Sequence, residues 1–444
     1  MISLLLGLAN AAGPVVFIGA TVHPVSGPPV EDAVLIFGRD GTIQELRSGN
    51  TDELPASAEL IDLTGKHVVP GLVDTHSHVG GGRLHDNLKP MQPGISAIDA
   101  IDPSHVSVAR ARAGGLTTVN VMPGSGKLMG GQTAYLKLRE GNIVDDLLLC
   151  PEPPAGDEGE DTPLRRSGVC GGMKMANGTN PQGKGGDPRS RMGAAFLQRK
   201  GFAEAKVLHD QTVAWRDADE AGWSARKKAR KGLELPSLDA EQRAMLQVLD
   251  GDRTVHFHTH RTDDIVTALR LQEEFGFRLV LQHVSEAWKV ADLLGGKQAM
   301  LSLILVDSPG GKEEALELFP SNAATMEEAG ALVALHTDDP ITDSRLFLRM
   351  AGIAVRSGMT EAGALAALTL NPARMMGLDE RIGSIEPGKD ADLVVLSGPP
   401  LSTWTRVEQT WVEGTKVFDR SRPADHALAV GGDAAPTSHP PETP

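Results

Sequence analysis

Two histidines spaced by one residue follow an apolar run that has the character of a buried β-strand. The run Val68–Val73 leads into Asp74-Thr75-His76-Ser77-His78. In a strand, residues i and i+2 point to the same face, so the two imidazoles can project together from one strand end. Two imidazoles placed in this way can bind one metal ion. For an isolated pair of histidines the simpler interpretation is two unrelated polar residues, and the histidines downstream argue against it.

The bulk composition excludes some classes of function. The 444 residues suffice for one large domain and a smaller one. A formal net charge of −15 argues against a nucleic-acid-binding surface. No apolar run approaches the roughly 18–20 residues needed to cross a bilayer. We therefore expect a globular protein, but its composition identifies no substrate. The small-molecule substrate expected for this chain follows from the metal-binding residues described below, and a homo-oligomer stays open.

The N-terminal segment and the two cysteines bear on the cellular compartment. Residues 1–13 are short and apolar with an Ala-Asn-Ala ending, but they lack the basic start of a secretory signal. They are interpreted either as a signal or leader segment that begins further upstream, or as a buried or disordered N-terminus. Export to the periplasm or the medium would favour a Cys150–Cys170 disulfide, and a cytoplasmic location would leave two free thiols.

The middle of the chain alternates strand-like and helix-like segments. Helical apolar spacing is present in segments such as 263–275 and 286–294. This alternation predicts an α/β fold with a parallel sheet, and at this length a closed (β/α)8 TIM-type barrel over residues 67–385. An open doubly wound sheet is the alternative, but no Gly-x-Gly-x-x-Gly follows the first strand to support it. The predicted strands lie at 116–122, 173–175, 254–258, 279–283, 300–306 and 331–336.

Both ends of the chain have a different, β-rich character. Residues 14–66 and 386–422 contain short apolar strands around turns, so we predict one small β-sandwich domain built from both termini. The Pro- and Gly-rich residues 151–167 are predicted to form an exposed insertion, and residues 177–190 a functional or disordered loop. Residues 423–444 have few large apolar side chains and are predicted to be a disordered tail.

Further metal-binding side chains recur at the ends of the predicted strands: His256, His258, His260, His283 and Asp338. In a barrel the catalytic groups gather at the C-terminal strand ends, so we expect these residues to meet the first-strand histidines. Imidazole and carboxylate are ligands for zinc-like ions. We predict a divalent ion, with zinc first and manganese or iron as alternatives. Asp338 is the candidate for both ligand and general acid/base.

With these motifs the chain resembles the amidohydrolase superfamily, in its imidazolonepropionase-like and metal-dependent prolidase-like branch. The matching residues are Pro70–His78, His258, His283, Asp338, Leu370–Arg374 and Gly383–Val395. The resemblance covers residues 14–420 and implies a (β/α)8 barrel that holds one or two divalent metals. It also implies hydrolysis of a carbon–nitrogen bond outside long peptides, with cyclic amides and small dipeptide-like amides as the leading substrate classes.

The resemblance also implies roles for individual residues. His76 and His78 would bind the more buried metal ion, and His258 and His283 would be further ligands. Lys174 stands where many members carry a lysine carboxylated by CO2 that bridges two ions. A carbamate needs a neutral amine, so burial or neighbouring cations must depress the lysine pKa. The alternative is a lysine that contacts substrate or solvent.

The chain also departs from the family pattern. Glycine is common two residues before the aspartate, and His336 stands there instead, either lining the pocket or competing as a ligand. His260 is a candidate substrate contact, while His256 is interpreted as a packed histidine or one that fixes the tautomer of a ligand. The remaining candidates for substrate contact lie on glycine-rich loops and the strand beside them: Gln132, Tyr135 and Asn177.

Three functional hypotheses remain. The first is a metal-dependent hydrolase. The second is a small-molecule binding or structural protein that kept the barrel and lost catalysis, because fold alone never guarantees function. The complete set of ligands weighs against this second hypothesis. The third is a deaminase or decarboxylase that uses the same metal site with different loops.

Overall fold

Short strands and helices alternate through the middle of the chain, and strands occupy both ends, which makes this an α/β fold. The computed structural model describes residues 13–49, 51, 53–81, 86–150, 168–182, 188–305 and 312–432. The strands are β1 (Val15–Val22), β2 (Val30–Phe37), β3 (Ile43–Ser48), β4 (Glu59–Asp62), β5 (His67–Pro70), β6 (Leu72–Ser77), β7 (Leu116–Val121), β8 (Met129–Gln132), β9 (Ala134–Lys137), β10 (Met173–Ala176), β11 (Val255–Thr259), β12 (Leu279–His283), β13 (Met300–Leu303), β14 (Leu332–Leu335), β15 (Leu393–Leu396), β16 (Val407–Val412) and β17 (Thr415–Asp419). The helices are α1 (Val106–Ala113), α2 (Val144–Leu147), α3 (Arg191–Glu220), α4 (Ala225–Arg230), α5 (Ala240–Asp250), α6 (Thr262–Phe275), α7 (Ala291–Gly296), α8 (Asn322–Glu328), α9 (Phe347–Arg356), α10 (Glu361–Ala366), α11 (Leu370–Met376) and α12 (Pro423–Val430).

The strands at the two ends of the chain share one eight-stranded sheet. Its order is β17-β16-β15-β5-β1-β2-β3, with β4 also paired to β1. Three strand steps separate β16 from β1, which would be about 14 Å in a flat sheet. The rings of Phe17 on β1 and Trp411 on β16 nevertheless lie 5.3 Å apart between centroids. The sheet therefore curls around its own aromatic core, which we call the terminal sheet.

The central strands lie in two sheets, one with the order β14-β13-β12-β11-β10-β8 and one with the order β6-β7-β9. Strands β10 to β14 are parallel to one another, as are β6 and β7. The parallel bridge Ser77–Asp339 brings the ends of β6 and β14 side by side. Within the described ranges, the expected closed barrel is not seen as one continuous sheet. It also differs from an all-parallel barrel because β8 and β9 run antiparallel to their neighbours.

A buried lysine connects the terminal sheet to the central strands. Lys137, the last residue of β9, is fully buried. Its Nζ donates to Asp390 Oδ2 at 2.6 Å and to Asp392 Oδ2 at 2.8 Å. Asp390 also accepts from the half-exposed Arg381 at 3.0 Å. Because a buried ammonium group needs opposite charge nearby, this Lys137 cluster fixes the position of β9 against the strand that follows Asp392.

The structure also bears on the expectations for the C-terminal tail, the two cysteines and the membrane-spanning helices. The tail predicted to be disordered from residue 423 instead begins with helix α12, which has proline in its first turn, where the missing N–H costs nothing. Cys150 and Cys170 form a disulfide. No helix in the described ranges is long and apolar enough to cross a membrane. The predicted insertion 151–167 and residues 1–12, 183–187 and 433–444 lie outside the described residues.

Candidate metal centre

Histidines from four strand ends come together with one aspartate. His76 lies in β6, His258 in β11 and His283 at the end of β12, while His336 follows β14 directly. These strands are buried on both faces, so their polar side chains at the strand ends have no solvent to face. Ligand atoms within 4.8 Å of one another form three overlapping groups: His76, His283 and His336; His258, His260 and His283; His76, His78 and Asp338.

The group around Asp338 requires a positive charge. His78 Nδ1 lies 2.8 Å from the carbonyl oxygen of Met122, which can only accept, so Nδ1 carries the proton. His78 Nε2 then faces Asp338 Oδ1 at 3.0 Å. Burial would raise the pKa of Asp338, but the contact with His78 and the positive charges around it lower that pKa overall. The Nε2–Oδ1 pair is therefore satisfied by a second proton on His78 or by a bound cation.

The separation of His76 from Asp338 suits two ligands of one tetrahedral ion. His76 Nε2 lies 3.4 Å from Asp338 Oδ1. Two ligand atoms about 2.0–2.1 Å from a tetrahedral zinc ion are separated by about 3.4 Å. The backbone supports the arrangement, since Asp338 N donates to His76 O at 2.9 Å.

Lys174 is brought to the same group. It is fully buried on β10, and its Nζ lies 3.0 Å from His76 Nε2 and 3.1 Å from Met122 Sδ. Burial lowers the pKa of Lys174 to about 7, so a large fraction of the amine is neutral near that pH. A neutral amine is the form that carboxylation by CO2 requires.

The second group is marked by buried nitrogens without partners. Both ring nitrogens of His258, and Nε2 of both His260 and His283, are buried and make no hydrogen bond to any residue that the structure describes. Burial lowers the pKa of His258 and His283 well below the usual value, so both rings are neutral and present a lone pair. Each unsatisfied buried polar atom costs about 1–3 kcal/mol. A divalent ion between these rings would remove that cost, so the residues present fit a metal.

His336 lies behind His283. Its Nε2 is 3.0 Å from His283 Nδ1, and its Nδ1 is 2.8 Å from Ser302 Oγ. Ser302 Oγ is in turn 2.6 Å from Thr75 Oγ1. This chain of hydrogen bonds orients the His283 ring so that its Nε2 faces the cluster.

The backbone is strained at two of these positions. His283 has a φ of 71° and Asp338 a φ of 51°, both in the left-handed region that non-glycine residues rarely adopt. Such strain is concentrated at functional sites, where the surrounding structure compensates for it. It marks the ends of β12 and β14 as places where side-chain direction is imposed by the fold.

Asp74 was not among the predicted residues. It is fully buried and accepts from His76 N at 3.0 Å and from Thr337 Oγ1 at 2.5 Å. Burial raises the pKa of Asp74 to about 7. The sequence did offer a signal for Asp74. A carboxylate inside an apolar strand, shortly before the histidine pair, needs hydrogen-bond donors that are buried with it.

The remaining predicted site residues form hydrogen bonds with groups outside the histidine cluster. His256 Nε2 lies 3.1 Å from the Tyr135 hydroxyl, and its Nδ1 accepts from Gln282 at 3.0 Å. Gln132 donates to Pro93 O at 3.2 Å. Asn177 donates to Asp264 O at 2.9 Å. The three loop and strand candidates therefore bond away from the cluster, and His256 fits the interpretation of a packed histidine.

A cavity of about 970 Å³ lies beside the cluster rather than over it. Its lining mixes both signs of charge and includes Arg191, Arg270 and Asp263. None of the cluster residues contributes to this lining. The cavity therefore does not define the substrate pocket.

The chain is similar to known proteins over most of its length. A family model described as "Amidohydrolase family" matches residues 238–418. An amidohydrolase from Thermotoga maritima MSB8 is 32% identical with a TM-score of 0.76, and the alignment covers 91% of this chain and 100% of that one. An imidazolonepropionase from Deinococcus radiodurans is 28% identical over 86% of this chain and 88% of its own length. Amidohydrolase tasK from Hapsidospora irregularis is 28% identical over 83% of this chain, which spans only 38% of that protein.

Proposed function

The chain belongs to the amidohydrolase superfamily, in its imidazolonepropionase-like branch, and from this premise we propose that it is a metal-dependent hydrolase of cyclic or small dipeptide-like amides. Its relatives support an enzyme that acts on carbon–nitrogen bonds, and the named imidazolonepropionases favour a cyclic amide. The observation that supports the metal dependence is the set of buried nitrogens of His258, His260 and His283 without a partner among the described residues, together with the overlapping groups that reach His76, His78 and Asp338.

We assign the metal to residues already predicted as ligands: His76, His78, Lys174, His258, His283 and Asp338. Zinc is the first choice, with manganese or iron as alternatives, and a carboxylated Lys174 would allow two ions. A divalent ion held there would polarise the substrate carbonyl and lower the pKa of the attacking water. The parallel strands and the Ser77–Asp339 bridge support a barrel-type frame for this site.

The chain itself supplies proton transfer and orientation. The low pKa of Asp338 keeps its carboxylate ionised at neutral pH, so it can accept a proton from the attacking water and return it to the leaving nitrogen. Met122 O holds the tautomer of His78, and His336 orients His283. His260, whose Nδ1 is 2.8 Å from Ser285 Oγ, keeps Nε2 free to contact the substrate or an ion.

The test combines metal content with turnover. Asp338→Asn should reduce hydrolysis of a cyclic-amide and dipeptide library by about 10²–10⁴, the usual contribution of a general acid/base. Asp263→Asn is the matched control, because its side chain is 53% exposed and lines the neighbouring cavity. Chelation should abolish turnover, and added zinc, manganese or iron should restore it.

Two results would count against the proposal. Full hydrolysis by the chelated protein would show that the reaction does not depend on a metal ion. Stoichiometric metal without turnover across the whole library would favour the binding-protein alternative instead.

A further inference from the structure

Helix α3 exposes a stripe of apolar side chains along one face. Met192, Phe196 and Val207 are 82%, 65% and 58% exposed, and Ala203, between Phe196 and Val207, is exposed as well. These residues recur at i, i+4, i+11 and i+15, a spacing that keeps side chains on one side of a helix. Single exposed apolar residues are ordinary on a protein surface, whereas a contiguous patch of them marks an interaction surface. We call these four residues the α3 stripe.

The opposite face of α3 is already packed against the chain's own core. Phe202 is fully buried, and its ring stacks on those of Phe275 and Phe277, with centroids 5.2 and 4.8 Å apart. Gln198 on the same face donates to Ala176 O, at the end of β10, at 2.9 Å. The helix is therefore anchored without the α3 stripe, which faces away from that core.

The order of side-chain sizes along the stripe is self-complementary. We propose that a second copy of this chain packs on the α3 stripe, with the two helices antiparallel around a two-fold axis at the middle of the stripe. In that arrangement Met192 of one copy lies opposite Val207 of the other, and Phe196 lies opposite Ala203. Each larger side chain meets a smaller one, so the two helices can approach closely. A two-fold axis repeats both contacts and closes the assembly at two copies.

The charged residues at the middle of the stripe are compatible with this pairing. Arg199 and Lys200 lie beside the axis, where each would approach the same residue of the second copy. Both are compensated within their own chain, since Arg199 Nε lies 2.6 Å from Glu274 Oε2 and Lys200 Nζ lies 3.8 Å from Glu204 Oε1. The repulsion across the axis is therefore reduced by a carboxylate beside each cation.

The charges at the ends of the stripe favour the antiparallel direction. Arg189 is exposed three residues before Met192, and Asp210 is exposed three residues after Val207. Asp210 also pairs with Lys206 of its own chain at 3.0 Å, but more than half of its side chain stays exposed. The antiparallel pair brings Arg189 of one copy beside Asp210 of the other, whereas a parallel pair would bring like charges together. Opposed helix dipoles favour the same direction.

The size of the surface sets the expected affinity. A standard stable interface uses roughly 20–30 residues on each side. The exposed residues from Arg189 to Asp210 are fewer than that. We therefore expect a dimer that dissociates in the micromolar range, rather than an obligate one.

The experiment is sedimentation equilibrium of the full chain across the micromolar range. The parent protein should show a reversible monomer–dimer equilibrium. Phe196→Lys places an unpaired charge opposite Ala203 and should raise the dissociation constant at least about tenfold. Because Phe196 is exposed in the single chain, this variant should unfold at the same temperature as the parent. Trp404→Lys is the matched control, since Trp404 is 89% exposed on the loop before β16, and it should leave the equilibrium unchanged.

Cross-linking tests the direction of the pairing. Cys150 and Cys170 are paired in a disulfide, so a maleimide reacts only with an introduced cysteine. In the antiparallel pair the two cysteines of Lys200→Cys would lie within about 2 Å of each other along the helix axis, and those of Asp217→Cys about 50 Å apart. A short bismaleimide should therefore link Lys200→Cys into covalent dimers and leave Asp217→Cys unlinked.

The proposal is overturned if the parent stays monomeric at high micromolar concentration, if Phe196→Lys dimerises as strongly as the parent, or if Trp404→Lys weakens the dimer equally. It is also overturned if Lys200→Cys cross-links no better than Asp217→Cys, because that result would mean a parallel pair or a contact through another surface.

Discussion

Two histidines on one strand provide the sharpest test of the metal centre. His256 and His258 lie two residues apart on β11, and both are buried. His256 has both ring nitrogens hydrogen bonded, to Tyr135 and to Gln282. Neither ring nitrogen of His258 is hydrogen bonded to a described residue. Replacing each histidine with alanine therefore removes the same ring, once where both nitrogens have partners and once where neither has.

The magnitudes follow from these contacts. His256→Ala leaves two buried polar groups without a partner, at about 1–3 kcal/mol each. His258→Ala leaves no partner unsatisfied in the metal-free protein. Since the lost ring volume is the same, the cavity contributions largely cancel, and His256→Ala should be less stable than His258→Ala by about 2–6 kcal/mol.

The assay measures two quantities on each variant: the free energy of unfolding of the chelated protein in urea, and the metal content of the protein as purified. His256→Ala should be strongly destabilised but retain metal. His258→Ala should keep its metal-free stability and lose metal. Equal metal-free stabilities, or loss of metal from folded His256→Ala to the same extent as from His258→Ala, would refute the reasoning.

Three further predictions concern stability. Lys137→Met should lower the free energy of unfolding in urea by about 3–5 kcal/mol, because it leaves the aspartates of the Lys137 cluster buried without their cation. Arg381 is more exposed, so Arg381→Met should lower the same free energy by less than about 1 kcal/mol. Equal effects of the two substitutions would contradict this prediction. The double variant Cys150→Ser/Cys170→Ser should lose about 3 kcal/mol, the chain-entropy value for a bridge across 20 residues, and an unchanged melting temperature would show that the bridge contributes nothing. Burial, followed by the nearby charge of His67, lowers the pKa of His23 to about 4. The folded state therefore favours neutral His23, so its contribution is complete above about pH 6.5 and is lost as the pH falls towards 4; His23→Gln should flatten the stability profile in this window.

Much of the central fold was predictable because its strands are short, continuous apolar runs. The expected strand 279–283 is β12, and the expected helix 263–275 is α6 (Thr262–Phe275). The 30-residue helix α3 was not predicted, because only five of its side chains are buried and its apolar stripe is thin. The antiparallel direction of β8 was also not predicted, since its Gly130-Gly131 core has no side chains to mark a face.

The types of ligand at the site were predictable, but the states of their ring nitrogens were not. Each candidate histidine ligand lies within two residues of the C-terminal end of a strand, which the apolar run before it indicates from sequence alone. Whether a ring nitrogen is free depends on residues from distant strands: Tyr135 and Gln282 satisfy His256, while no residue in the described ranges satisfies His258. His336 likewise reaches His283 only because Ser302 on the neighbouring strand holds its other nitrogen.

The geometry of the proposed metal centre therefore depends on the adjacency of β6 and β14 as much as on the candidate ligands themselves. Asp338 keeps an unfavourable left-handed backbone. Two connections to the first strand stabilise it, since Asp338 N donates to His76 O and the Thr337 hydroxyl donates to buried Asp74. Asp74 also accepts from His76 N, so one carboxylate holds the backbone at or next to a candidate ligand on each strand. The pair of histidines at one strand end meets the carboxylate of Asp338 only because a second strand end, more than 250 residues later, is held against it.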